Sequence, residues 1–287
     1  MAPSGPFDRA LVLRGMAFLA TRYRVEFDSG LFHRHEMFAG TDQRRREELL
    51  RAITDPGVAA VVAARGGYGI TRILSSLDLD CLCAAPRWIV GFSDLTAFHV
   101  ESWRLGIASM HAANVTGLGR GDAKARQEWM TALEAPRALR TYAGLRSWGE
   151  GRAEGPIVGG NLTMLFTCAA AGRLHIPRGS VLLLEDVAEH SYRIDRMLTA
   201  LVTGGYLSEV AAVVVGEFTD CAPGRYGVTV ESVLRSQLAQ LRVPVVAGFP
   251  AGHGLHNTPV PLGLRVRVST TPGEVVINPG GAGHQPR

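Results

Sequence analysis

Apolar and polar positions in the first half of the chain follow two alternating rhythms. Helical spacing predicts helices over 8–21 and 42–53, the second capped by Thr41 and stopped at Asp55-Pro56-Gly57. The short segments 24–27, 58–63 and 87–91, the second a continuous apolar run, suit strands and are too brief for helices. Short helices are expected over 71–76 and 95–104. A further strand ends near His111, and a helix over 122–135 closes this half. Strands joined by crossover helices build a mostly parallel sheet. An α/β domain with a Rossmann-like sheet and flanking helices is therefore expected over residues 1–150.

The stretch 142–155 turns polar and carries Gly144, Gly149 and Gly151, the composition of a linker, so a boundary is placed near Gly151. In the second half, 151–287, strands are expected over 156–158, 181–184, 210–215, 244–247, 264–269 and 274–277. Helices begin at Leu162 and cover 194–202 and 228–241. These elements predict a smaller C-terminal α/β domain with a mixed sheet.

Composition narrows the chemistry. With 287 residues, 46% hydrophobic and 20% charged, the chain can bury a sizeable core, and no apolar run approaches the roughly 18 residues of a membrane span. The 30 basic residues include one lysine, Lys124, and it lies in a polar stretch. A phosphate-binding Gly-Lys-Ser/Thr loop is excluded, and Schiff-base catalysis, which needs a desolvated lysine, has no candidate. The net charge of +4 comes from scattered arginines. Arg44-Arg45-Arg46 reads as the solvated face of a helix, so no nucleic-acid partner is expected. Cys81, Cys83, Cys168 and Cys221 form no disulfide framework or metal knuckle, and the N-terminus has no secretory pattern. A cytoplasmic protein without metal, cofactor or membrane partner is expected.

Arg65-Gly66-Gly67-Tyr68-Gly69 follows a predicted strand and precedes a helix, where open α/β sheets bind ligands. Gly91-Phe92-Ser93-Asp94 repeats that arrangement. A sharp turn there exposes the Ser93 hydroxyl, with the Asp94 amide aimed at the same place as an oxyanion donor; the bland alternative is a helix-capping serine. A serine nucleophile needs a base, and His253 stands between Gly252 and Gly254, which permit close backbone approach. His33, His35, His99, His190 and His256 lack such a setting and are expected at the surface or partly buried. Glu185 and Asp186 end the apolar run 181–184, so a carboxylate emerges there to orient the base; alternation along a strand sends them to opposite faces without deciding between them. Arg193-Ile194-Asp195-Arg196 is read as a structural ion-pair network.

Together and in order, these segments resemble the LD-carboxypeptidase family of serine peptidases, which includes the microcin C self-immunity peptidases. The carriers are Ala2-Pro3-Ser4-Gly5-Pro6, Ala64-Arg65-Gly66-Gly67-Tyr68-Gly69, Gly91-Phe92-Ser93-Asp94-Leu95-Thr96-Ala97 and Gly159-Gly160-Asn161-Leu162. Leu184-Glu185-Asp186-Val187, Tyr192-Arg193-Ile194-Asp195-Arg196, and Gly252-His253-Gly254 with Asn257 and Pro261-Leu262-Gly263 complete the series. The resemblance implies a Ser93-Glu185-His253 triad, choosing Glu185 over Asp186, and an oxyanion hole from the backbone amides of Asp94 and Gly67. It implies release of a terminal D-amino acid, typically D-alanine from muropeptide tetrapeptides in cytoplasmic peptidoglycan recycling, by a cofactor-free homodimer. Tyr68, Arg72 and Asn161 are expected, from position alone, to contact substrate.

Two departures from the family pattern stand out. His111-Ala112-Ala113-Asn114 replaces the common His-Gly-Pro, so the nearby pocket wall is expected to differ. Only Met1-Ala2 precede Pro3-Ser4-Gly5-Pro6, so a first strand is expected to be missing or to begin upstream. Competing readings are a peptidase of peptide-nucleotide conjugates and a catalytically silent muropeptide-binding protein. A dinucleotide-binding oxidoreductase is weaker still, because the glycine loop lacks G-x-G-x-x-G spacing.

Overall fold

A computed structural model describes residues 1–224 and 226–278. In chain order the first elements are α1 (Arg9–Ala20), α2 (Asp42–Thr54), β1 (Ala60–Val62), α3 (Ile70–Leu74), α4 (Cys81–Ala84) and β2 (Trp88–Gly91). They are followed by α5 (Thr96–Arg104), β3 (Ser109–His111), α6 (Val115–Arg120) and α7 (Ala123–Glu134). Then come β4 (Arg140–Ala143), β5 (Arg146–Ser147), β6 (Arg152–Asn161), α8 (Leu162–Ala170), β7 (Val181–Val187), α9 (Ser191–Thr203) and β8 (Ala212–Thr219). The chain continues with α10 (Val230–Ala239), β9 (Val245–Ala247), β10 (Val260–Leu262), β11 (Arg265–Thr270) and β12 (Gly273–Ile277).

Helix starts carry their signals in the sequence. Asp8, Thr41, Asp122 and Thr229 cap α1, α2, α7 and α10 with side-chain oxygens that accept otherwise orphaned amides. The strands form two mixed sheets, ordered β1-β2-β3-β10 and β4-β12-β11-β6-β7-β8-β9-β5. In the first, β1, β2 and β3 are parallel and β10 is antiparallel to β3. In the second, β6 to β9 run parallel, with antiparallel strands outside them. The α/β expectation therefore holds, but the second sheet is the larger one.

The strand predicted over 24–27 is absent. Val25 is only half-buried, Phe27 is exposed and packs edge-on against Phe32, and the segment finds no ladder partner. The place beside β1 is taken by Met1, whose amino group donates to the Val62 carbonyl (3.1 Å) and whose carbonyl accepts from the Ala64 amide (2.8 Å). Nor do the sheets divide at Gly151. Strands β4 and β5 precede it yet lie in the second sheet, and β10 follows it yet completes the first.

The two sheets share a core. One apolar cluster runs from Leu49, Ile53 and Ile89 through Phe98 on α5 and Leu165 on α8 to Leu182, Leu184 and Val213. Leu182, Leu183 and Leu184 are fully buried, as befits a central parallel strand covered on both faces. Burial on this scale is worth about 1.5–3 kcal/mol per large aliphatic side chain, enough to hold the carboxyl end of β7 rigidly in place.

Candidate active site

The nucleophile turn is built at the end of β2. Ser93 has φ +64°, and Gly91, two residues earlier, has φ +158°. A serine in the left-handed region costs about 1–2 kcal/mol and persists only where surrounding contacts impose it. Those contacts are visible: the Asn114 side-chain oxygen accepts from the Phe92 amide (3.3 Å), and His99 Nε2 meets the Gly91 carbonyl (3.0 Å). Asn114 belongs to the segment that departs from His-Gly-Pro, so here the departure supplies a brace behind the nucleophile. Ser93 opens a 3₁₀ turn leading into α5, which leaves the Asp94 amide among the orphan donors of a helix start.

The glycine loop closes on Ser93 from the end of β1. A Cβ at Gly66 would stand 2.9 Å from Ser93 Cβ and 3.1 Å from its hydroxyl oxygen, so only glycine allows this approach. Gly67 follows with φ +102°, and its amide donates to no carbonyl within the described residues.

The other two triad candidates come from the second sheet. Glu185 lies near the end of β7, wholly buried, and its Oε2 is 2.7 Å from His253 Nδ1. Burial pushes the Glu185 pKa up, opposed by the hydrogen bond and charge of His253. An ionised Glu185 accepts from Nδ1–H and leaves Nε2 as the free acceptor, the tautomer a general base requires. Asp186 faces the other way: it accepts from the Asn161 side chain, from the amide and hydroxyl of Thr163, and from the Val187 amide. Of the two carboxylates that strand alternation left open, Glu185 is the one in contact with His253. A phenyl ring joins the two halves of the site, since Phe92 packs on His253 with centroids 4.6 Å apart. Among the described residues no hydrogen bond links the Ser93 hydroxyl to His253; such bonds often tighten only when substrate binds.

Glycine on both sides of His253 has a specific cause. A Cβ at Gly252 would sit 3.1 Å from Glu217 Cβ and 3.3 Å from Glu185 Cβ, and one at Gly254 would strike the Glu217 carboxylate at 1.8 Å. Glu217 is therefore a second carboxylate against the histidine loop, one the sequence reading missed. It lies on β8, which a register shift near Leu184 and Asp186 brings level with Glu185.

Two more features escaped the sequence. Arg45 is not on a solvated face: its side chain is fully buried, and the guanidinium donates to the Gly69 carbonyl (2.9 Å), the Pro3 carbonyl and Asp42. His99 and His111, one expected at or near the surface, are completely buried beneath the site. Burial lowers their pKa values to about 4 and about 3, so both are neutral.

The residues expected to contact substrate have other duties in this structure. Arg72 is paired with Asp42 (2.7 Å), and Tyr68, half-exposed, packs on Phe38. Asn161 caps α8 and holds Asp186, and its amide also favours the ionised form of neighbouring Glu185. Arg193 pairs with Glu189, whereas Asp195 accepts from Gln237, so the predicted network is dispersed rather than internal. Among the described residues no three His, Cys, Asp or Glu side chains are grouped so as to hold a metal ion, and no helix is long and apolar enough to cross a membrane.

Comparison with known proteins decides the ancestry of this arrangement. The model of the LD-carboxypeptidase N-terminal domain matches residues 1–112, and that of the C-terminal domain matches 154–268. The chain belongs to the LD-carboxypeptidase family. It is a serine-type hydrolase, and its relatives include the murein tetrapeptide carboxypeptidase of Pseudomonas aeruginosa, 36% identical over 241 residues, 80% of this chain and 78% of that protein. The crystal structure of muramoyltetrapeptide carboxypeptidase from Oxalobacter formigenes superposes with a TM-score of 0.86 at 31% identity, covering 96% of this chain and 97% of that one. The microcin C7 self-immunity protein MccF of Escherichia coli is more distant, 22% identical over 93% of this chain and 88% of its own. Against this LD-carboxypeptidase background the buried Glu185–His253 contact is the feature most directly tied to chemistry.

Proposed function

We propose that this LD-carboxypeptidase hydrolyses the bond between an L-centre and a terminal D-amino acid, releasing D-alanine from muropeptide tetrapeptides. The observation that carries this reading is the 2.7 Å contact between buried Glu185 and His253, beside a serine held at positive φ. The relatives named for murein and muramoyl tetrapeptides supply the substrate class.

In the proposed reaction His253 Nε2 removes the Ser93 hydroxyl proton as Ser93 attacks the penultimate carbonyl. The carbonyl oxygen becomes an oxyanion, held by the Asp94 and Gly67 amides. Glu185 stabilises the imidazolium and keeps its ring oriented. Collapse breaks the amide bond, and His253 returns its proton to the departing D-alanine amine. Water, activated by the same imidazole, then hydrolyses the Ser93 ester. The expected biological setting is cytoplasmic peptidoglycan recycling by a homodimer.

Incubation with UDP-MurNAc-tetrapeptide and with the free tetrapeptide, followed by chiral detection of D-alanine, tests the proposal. Release by the parent and none by Ser93→Ala supports it. Cleavage of an aminoacyl-nucleotide conjugate with no D-alanine release would move the assignment to the MccF-like activity. Absence of both, with no labelling of Ser93 by an active-site probe, would indicate a silent binding protein.

A further inference from the structure

The Gly69–Ile70 peptide group lies between two buried charges. Its carbonyl oxygen accepts from Arg45 Nη1 (2.9 Å), and its N–H donates to Asp94 Oδ2 (2.9 Å). The two poles of a trans peptide point in opposite directions, so a guanidinium grips one end and a carboxylate the other. Both side chains are removed from water, at 0% and 1% exposure. Hydrogen bonds to ionised partners are roughly twice as strong as neutral ones, and both bonds to this peptide are of that kind.

The arrangement reaches outward as well. Arg45 donates through Nη2 to one oxygen of Asp42, and Arg72 binds the other oxygen at 2.7 Å. Phe38 lies under Arg45, its ring centroid 4.7 Å from the guanidinium carbon. No room remains for adjustment at Gly69, where φ is +135° and a Cβ would lie 2.7 Å from Arg45 Nη1 and 2.8 Å from Phe38. The pinned peptide is two residues beyond Gly67, at the end of the loop that touches Ser93.

We propose that Arg45 and Asp94 are positioning residues that clamp the Gly69–Ile70 peptide and thereby set the Gly67 amide at a fixed distance from the nucleophile turn. This deepens the proposed function and rests on it for the roles of the Gly67 and Asp94 amides. Asp94 then acts twice: its backbone amide is one donor to the oxyanion, and its carboxylate holds the loop that carries the other. The separation of the two donors is governed by the length of a single side chain.

A clamp of this kind affects the transition state and leaves ground-state binding almost untouched, because the oxyanion forms only during reaction. Asp94→Asn, which keeps the shape and loses the charge, and Arg45→Met, which keeps the volume and loses both donors, are the informative variants. Arg45→Met/Asp94→Asn removes both charges together and serves where a single variant, left with an unpaired buried charge, folds poorly. With tetrapeptide as substrate, kcat is expected to fall about tenfold in Asp94→Asn and about a hundredfold in Arg45→Met, the scale of a misplacement of about 1 Å, with KM within threefold of the parent. Amide hydrogen exchange followed by mass spectrometry is expected to show faster exchange in the segment 66–70, with the helices of the second sheet unchanged.

Folded variants with kcat within twofold of the parent, or with KM raised and kcat intact, would overturn the proposal. So would unchanged exchange across 66–70, and that measurement needs no substrate. If the parent releases no D-alanine, the functional reading fails, while the clamp is still judged by exchange alone.

Discussion

Replacing Glu185 by glutamine separates catalysis from folding. The substitution keeps the shape of the side chain and removes its charge at a wholly buried position 2.7 Å from His253. In the proposed mechanism His253 accepts the Ser93 proton, and the imidazolium then faces this carboxylate. Unit charges at that contact distance attract by about 6 kcal/mol at an effective dielectric near 20, and spreading each charge over its group reduces this to about 4 kcal/mol. At about 1.4 kcal/mol per decade, the loss corresponds to roughly 10³-fold in kcat. A glutamine amide that donates to Nδ1 also enforces the wrong tautomer, which brings the expected loss to about 10⁴-fold. Stability moves the other way. Burial raises the Glu185 pKa, so the ionised form is a burden on the fold above its unfolded pKa, and glutamine relieves it. The assay is D-alanine release under saturating tetrapeptide, paired with thermal unfolding at pH 8. A kcat within tenfold of the parent, in a variant whose melting temperature is unchanged or raised, would refute the role assigned to the Glu185–His253 contact.

Other outcomes follow from the same geometry. Gly66→Ala pushes a methyl group against the Ser93 side chain; kcat is expected to fall at least tenfold while circular dichroism stays native, and equal kinetics would show that the loop yields. Gly254→Ala collides with the Glu217 carboxylate and should impair activity, with partial recovery in Gly254→Ala/Glu217→Ala; steady-state kinetics of the pair decides. Gly155→Ala meets the Gly179 carbonyl at 2.0 Å far from the site, so denaturant unfolding should show a loss of about 1–3 kcal/mol with kcat per folded molecule retained. Neutral His99 and His111, with pKa values lowered to about 4 and about 3, stabilise the protein above pH 6.5, and that contribution is lost as pH falls towards those values. Asp94, raised by burial to about 6, has the opposite sign, favouring the fold as pH falls from 6 towards 4. Glu185, also raised by burial, shares the sign of Asp94, so the histidine contribution is read by difference: between pH 6.5 and 4 the urea midpoint of His111→Gln should fall less, or rise more, than the parent's.

The candidate site was partly legible in the sequence because its residues sit at punctuation points. A short apolar run that ends in glycine, serine or carboxylate marks the carboxyl end of a strand, and Ser93, Glu185 and the glycine loop all occupy such places. What stayed hidden depends on contacts between distant segments. Arg45 stands among other arginines with good helical spacing, and nothing local distinguishes the one that turns inward to Gly69 from its exposed neighbour Arg46. Glu217 is level with Glu185 only because β8 carries a register shift. The segment 24–27 has strand-like alternation but no edge on which to pair.

Strand β10 gives the molecule a built-in order of assembly. It follows the His253 loop by a few residues and pairs with β3, with Val260 opposite His111, some 150 residues earlier in the chain. Contacts this distant in sequence are late and slow to form. A nascent chain can complete β1 to β3 and carry the Ser93 turn while the proposed base is still unattached, since the loop bearing His253 is stretched between β9 of one sheet and β10 of the other. On the roles proposed for Ser93 and His253, hydrolytic competence therefore waits until β10 has joined β3.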